Sequence, residues 1–257
     1  MIKLNANTTK YGSVQVYDKD LEVFAYKQLK DYQKGYFEEP KALNIEDFVE
    51  FYLEKKVYYY QISTEDSSKR VLGSTAITDG KLAVICEDNK PSYIIFNRGD
   101  ICIDEKACEC ESRVRFTLAH EAWHSQFDTN LNKELLDGEK TIKDTSSIID
   151  SPTMPAKSKN QWDWIEYHAN RYAVYLLMPK RFVNKLFKRY HKELFGKKKR
   201  LSLKNPKKTW LIIIKISESL SVSKEALAYR LLELNLISID IFKSLDIKKG
   251  KRRANYE

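Results

Sequence analysis

The chain has 257 residues, a formal net charge of +9 at neutral pH, an apolar fraction of 42% and 16 tyrosines. That is enough chain for one large domain or two small lobes and enough apolar side chain for a core, which excludes general disorder. The start, M-I-K-L-N-A-N-T-T-K-Y-G, has no apolar leader, and L-I-I-I at 211–214 is far too short to cross a bilayer, so a cytoplasmic protein without membrane association is expected.

Residues 18–34 and 44–56 read as helices separated by Pro40, the first with an apolar stripe of Leu21, Phe24, Ala25 and Leu29 that also takes in Gln28. From 57 to 103 the pattern changes. V-Y-Y-Y-Q-I, V-L-G-S-T-A-I-T, L-A-V-I-C, S-Y-I-I-F and I-C-I-D are short, β-rich runs divided by turn residues, and Asp79-Gly80 predicts a tight hairpin between two of them. A small twisted sheet, at least partly antiparallel, follows. Glu111–Phe127 contains neither Pro nor Gly and predicts a continuous helix. Residues 129–160 are polar, contain Pro152 and Pro155, and read as a long loop of the kind that shapes active sites. A second helix is predicted over Trp162–Met178, ending at Pro179. Beyond it come the basic amphipathic run R-F-V-N-K-L-F-K-R-Y-H-K-E-L-F and a helix-turn-helix-like pattern at 209–236, with Ser223 as N-cap and Glu225 in the first turn.

Between Arg181 and Lys215 there are thirteen Lys or Arg and one acid, Glu193, and a second basic cluster, K-K-G-K-R-R, starts at Lys248. This polarity favours an acidic or nucleic-acid partner. No aromatic or glycine pattern of a nucleic-acid module accompanies the lysines, so the plainer reading is a solvated face with weak, sequence-independent nucleic-acid contact. The cysteines are Cys86, Cys102, Cys108 and Cys110. C-E-C lacks the two-residue spacer of a zinc knuckle or thioredoxin-like site, and structural or incidental thiols are expected.

The chemistry is concentrated in His120, Glu121 and His124, an H-E-x-x-H pattern. Residues four apart share a helix face, so both imidazoles converge on one point with the glutamate beside them. Zinc suits two neutral nitrogens and a carboxylate oxygen with one position left for water, and Glu121 would accept that water's proton as general base. Phe116, Leu118, Ala119, Ala122, Trp123 and Phe127 do not form one narrow stripe. The helix is therefore expected to be buried on several sides, where a charged Glu121 is costly without a purpose. Glu166 is the candidate third ligand, sharing a face with Asn170, while Ala169 and Ala173 allow another helix to approach. His168 lies two residues from Glu166 and should face elsewhere. It and His191 read as surface or satisfied structural histidines.

R-F-T-L-A-H-E-A-W-H at 115–124, E-Y-H-A-N-R-Y-A-V-Y-L-L-M-P at 166–179 and V-S-K-E-A-L-A-Y-R-L-L-E-L-N-L-I at 222–237 together resemble the ImmA/IrrE-type zinc metallopeptidase family. The resemblance is strongest from about residue 70 to residue 237. It implies an α+β, zincin-like metallopeptidase with a small twisted β-sheet packed on the H-E-x-x-H helix and further helices. It also implies a gluzincin-like site in which His120, His124 and Glu166 bind Zn2+ and Glu121 is the general base. The implied substrate is a regulatory protein of stress genes or mobile elements, such as a DNA-binding repressor or an antitoxin, held in extended form along a sheet edge. Tyr93–Asn97 or Leu82–Cys86 is the expected pairing strand. Two departures stand out: Ala122-Trp123 where many members have Leu-Gly, and Asp128 where many carry another histidine. Asp128 is a candidate hydrogen-bond partner for His124.

The expected organisation is an N-terminal helical segment at 1–56 packed on the catalytic lobe, a zincin-like core at 57–180, a basic helical subdomain at 181–240 and a basic tail at 241–257. Two rival functions remain at this point. One is a DNA-binding or protein-binding regulator using the basic helical C-terminal region, although its second helix is mostly apolar and offers only Arg230 for base reading. The other is a catalytically inactive metallopeptidase-fold interaction protein. The sequence gives no oligomeric state.

Overall fold

The computed structural model describes residues 2–63, 71–85, 90–131, 161–196 and 205–245. The chain divides into two compact units, one of residues 1–34 and 43–176, the other of residues 35–42 and 177–257. The architecture is α+β, with a mixed sheet and a helix that carries the H-E-x-x-H motif.

The first unit opens with a short antiparallel pair, β1 (Asn7–Thr8) and β2 (Val14–Gln15), followed by α1 (Asp18–Tyr32). The predicted stripe of α1 is its buried face, and Asp18 and Asp20 in the first turn and Lys30 in the last complement the helix dipole. The helix expected over 44–56 is shorter and of another kind. A single turn, α2 (Ile45–Asp47), is capped by the Asn44 side chain and widens into a π-helical stretch at Phe48–Tyr52. The wide turn lets Leu53 N donate to Phe48 O at 3.0 Å and sends Phe48, Val49 and Leu53 all into the core.

Five strands follow: β3 (Val57–Ile62), β4 (Gly73–Thr75), β5 (Gly80–Ile85), β6 (Pro91–Phe96) and β7 (Ile101–Asp104), in the order β4-β7-β3-β5-β6. β3 runs parallel to β7, and the other pairs are antiparallel. The hairpin expected at Asp79-Gly80 does not form. β4 pairs with β7 instead of β5, and the Asp79 carboxylate accepts from Arg98 N at 2.7 Å. The reason is packing. β4 is buried along its whole length and lies under α3 (Glu111–Phe127), whereas β5 and β6 pair with each other over six residues.

The strand order also bears on substrate pairing. Leu82–Ile85 in β5 lies between β3 and β6, so a central strand, not a free edge, occupies that expected position, and Cys86 lies outside the described residues. β6 is an edge strand, but it is the edge away from α3.

α3 and α4 (Gln161–Leu177) begin and end within one residue of the predicted helices. A short 3-10 turn at Asp128–Asn130 closes α3, and the loop expected beyond it falls, from residue 132 to 160, outside the described residues. A closed polar triangle ties α1, α3 and α4 together inside the core. Tyr172 OH donates to Gln28 Oε1 at 2.6 Å, Gln28 Nε2 to Gln126 Oε1 at 2.8 Å, and Gln126 Nε2 to Tyr172 Oη at 3.3 Å. Phe24, Trp123 and Phe127 pack around it.

The second unit contains α5 (Lys180–Phe195), α6 (Pro206–Leu220), α7 (Lys224–Glu233) and α8 (Ile239–Ser244). Asn205 caps α6 ahead of Pro206, and Ser223 caps α7 as predicted. Tyr36 and Phe37 pack on Phe182 of α5. His191 is not at the surface. It is buried and stacked between Phe187 and Phe195, and its Nε2 has no hydrogen-bond partner among the described residues. The helix-turn-helix resemblance ends at packing, because Ala226–Leu231 of α7 are buried. Arg230 itself is 1% exposed, donating to Met178 O and pairing with Glu233, so α7 presents no base-reading arginine.

Cys102, Cys108 and Cys110 are free thiols, and burial pushes Cys102 up to about 12; Cys86 is outside the described residues. The basic residues at 197–200 and 248–253 are also outside them. Among the described residues no helix is long and apolar enough to cross a membrane.

Replacing Tyr172 with Phe removes the donor to a fully buried glutamine oxygen. The expected loss is about 1–3 kcal/mol of unfolding free energy in urea titration. An unchanged midpoint would show that the triangle does not hold the three helices.

Candidate metal centre

α3 is buried for nine consecutive residues, Thr117–Ser125, with β4 and β7 against it and the aromatic side chains of α1 and α4 packed on Trp123 and Phe127. This is why its apolar residues describe no single stripe. His120 and His124, one turn apart, have ring centroids 4.7 Å from each other and Nε2 atoms 2.9 Å apart. From α4, Glu166 places Oε2 3.3 Å from His120 Nε2 and Oε1 3.7 Å from His124 Nε2. All three groups offer ligand atoms within 4.8 Å of one another.

The outer nitrogens set the chemistry of the inner ones. His120 Nδ1 lies 3.0 Å from Asn170 Oδ1, and His124 Nδ1 lies 2.7 Å from Asp128 Oδ2. With each Nδ1–H donated outward, each Nε2 presents a lone pair inward. Two such lone pairs and a carboxylate then face one point, and only positive charge there relieves their repulsion. Zinc ligands at ~2.0–2.2 Å in tetrahedral array sit roughly 3.3–3.6 Å apart, a range bracketed by the separations of 2.9, 3.3 and 3.7 Å. The donor set therefore fits a zinc ion. Without a metal, the same demand falls on a proton. Burial opposes charge on His124, but the hydrogen bond to Asp128 and the carboxylates of Glu166, Asp128 and Glu121 outweigh it and raise its pKa to about 9. Burial also raises Asp128, with His124 acting against that shift.

Glu121 is 1% exposed and is held from the sheet side. Thr75 Oγ1 donates to Glu121 Oε2 at 2.7 Å and approaches its backbone oxygen at 3.2 Å. Gly73 is required by the same contact. A Cβ there would fall 2.5 Å from Thr117 Cγ2 and 3.1 Å from Glu121 Cγ. Thr75 and Gly73 had no signal in the sequence, where G-S-T reads as an ordinary strand fragment. Their role comes from β4 lying under α3.

The remaining sequence candidates fall where the spacing places them. Asp128 does reach His124. His168 is buried among Trp123, Trp164 and Tyr167, away from the two inward Nε2 atoms, and burial holds its pKa below the ordinary value. His191 belongs to the second unit. No protein-family model matches the chain, and neither does any curated protein. The arrangement is that of a zincin-like metal-binding site, a feature of metallopeptidases in the broad sense.

Two outcomes are expected in solution. Zinc binding at about pH 7.5 should release about one proton, since a His124 with a raised pKa must lose its proton to become a ligand. Calorimetry in two buffers of different ionisation enthalpy reads this directly, and a heat independent of buffer would contradict it. Asp128→Ala and Asn170→Ala should each weaken zinc binding roughly 10- to 100-fold by freeing an imidazole to reorient. Competition with a chromogenic chelator measures the change.

Proposed function

We propose that the chain is a zinc-dependent endopeptidase that hydrolyses a peptide bond in a specific regulatory protein, such as a DNA-binding repressor or antitoxin, and that it belongs with ImmA/IrrE-type metallopeptidases. The observation that carries this reading is the convergence of His120 Nε2, His124 Nε2 and the Glu166 carboxylate next to a buried Glu121. In it, His120, His124 and Glu166 are the metal ligands and Glu121 is the general base. The regulatory substrate and the family rest on the motif resemblance.

A bound zinc ion supplies a Lewis acid that polarises a peptide carbonyl and lowers the pKa of a water. Glu121 accepts the water's proton and returns it to the leaving amine as the C–N bond breaks, so one water is consumed for each pair of new termini. Thr75 keeps the Glu121 carboxylate in one orientation through that cycle. Asn170 and Asp128 keep the imidazoles turned inward. A substrate in extended form would pair with the outer edge of β4, the strand in contact with Glu121, which among the described residues has a strand neighbour on one side only. That replaces the expected strands in β5 and β6, because strand order brings β4 and neither of them to the H-E-x-x-H helix.

The regulator reading loses its base-reading helix to the core, as Arg230 shows. The inactive-fold reading has against it the presence of every proposed ligand and the base.

Glu121→Gln separates binding from chemistry, because the amide keeps the shape but accepts no proton. Co-expressed with the regulator encoded beside its gene, wild type should reduce the intact mass of that regulator and Glu121→Gln should leave it whole, with zinc content near one per chain in both. Equal loss of regulator with both would remove Glu121 from the chemistry. Zinc-free wild type that takes up no added zinc would remove the site.

A further inference from the structure

α5 is amphipathic in an uncommon sense: its inner face is apolar and its outer face is cationic. Phe182, Val183, Leu186 and Phe187 are buried. Arg181, Lys185, Lys188 and Lys192 are exposed and recur at intervals of three or four, so they form one ridge with a cation on each turn. From Arg181 to Lys192 the ridge is about 16 Å long at 1.5 Å per residue. At its C-terminal end Lys208 of α6 donates to Leu194 O at 3.1 Å, adding a further exposed cation.

Among the described residues, carboxylates pair with one cation of this row and not with the other three. Glu39 takes Lys185 at 2.7 Å and also pairs with Arg189, and Glu193 takes Lys215 at 2.8 Å. Arg181, Lys188 and Lys192 meet no carboxylate among the described residues; Arg181 lies over the Phe37 ring.

We infer that the Arg181–Lys188–Lys192 ridge of α5 is a docking surface for the phosphate backbone of duplex nucleic acid, bound without sequence preference. A strand of duplex carries one phosphate per ~3.4 Å of axis, so a ridge of this length faces about five of them. The composition of the ridge separates this partner from an acidic protein. Protein interfaces are centred on aromatic or aliphatic anchors and are depleted in lysine. Here the exposed ridge has cations and no apolar anchor, which is what backbone contact needs and all that it needs. Arg230, the one candidate for reading bases in the α6–α7 pair, is buried, so the contact positions the protein on nucleic acid without selecting a site. The inference is independent of the peptidase reading and requires no metal.

The test is fluorescence anisotropy of a labelled duplex of about 20 base pairs with the full chain, from about 50 to 200 mM salt. Three phosphates neutralised by the ridge give a slope of log K against log salt of about −2.7, a loss of about 40-fold across that range, and any further cations steepen it. Lys188→Gln/Lys192→Gln should make the slope shallower by about 1.8, while Lys188→Arg/Lys192→Arg should keep the wild-type slope. A duplex of unrelated sequence should bind equally. Circular dichroism checks that the variants fold. If the double glutamine variant does not, Arg181→Gln alone should shift the slope by about 0.9. The inference is overturned if wild type does not bind at the lowest salt or if the folded glutamine variant keeps the wild-type slope. It is equally overturned if a polyglutamate peptide displaces the duplex at equal charge concentration, which would mark the ridge as a surface for acidic protein.

Discussion

Three electron-pair donors aimed at one point inside a folded chain repel one another unless positive charge lies between them. His120, His124 and Glu166 create that demand, and the outward hydrogen bonds to Asn170 and Asp128 prevent the imidazoles from escaping it by exchanging tautomers. The constraint reaches well beyond the three side chains. α3 and α4 must hold their separation to within a few tenths of an ångström for the donor set to keep its shape. The Gln28–Gln126–Tyr172 triangle and the rings of Phe24, Trp123 and Phe127 join those two helices to α1. Trp123 is part of that joint.

The sheet serves the same centre from the other side. A buried carboxylate is expensive unless it is hydrogen-bonded, and the Thr75 hydroxyl provides that bond to Glu121. For it to reach, β4 must approach α3 closely, which Gly73 permits by having no side chain. β4 therefore combines two features: it orients the proposed base and lies at the sheet edge nearest to it.

In the second unit the same residue types are used differently. α6 and α7, joined by a short turn with Ser223 as cap, have the local form of a DNA-reading motif, yet α7 turns its side chains into the core. Charge is instead exposed along α5, where cations recur once per turn. Local pattern predicts where helices begin and end. Whether a helix faces solvent depends on what else packs against it.

The sequence by itself determined the helices that carry the site, nearly to the residue, because an uninterrupted run without Pro or Gly acts within a turn or two of chain, as does the Ser223 cap of α7. It also determined that His120 and His124 share a face, since that follows from helix geometry alone, and it singled out Glu166, Asn170 and Asp128 as the residues one turn away from a partner. Only the tertiary structure decided the rest. Strand order turns on which strand packs beneath α3, so the hairpin suggested by Asp79-Gly80 gave way to a β4–β7 pairing. The π-helical turn at Phe48–Tyr52 appears only when Phe48, Val49 and Leu53 must all be buried together. The support of Glu121 by Thr75 and Gly73, 46 residues from Thr75 in the chain, is a contact between elements that no local spacing encodes. Nor does any spacing say that Arg230 and His191 are enclosed, because burial depends on every neighbour at once and residue type depends on none.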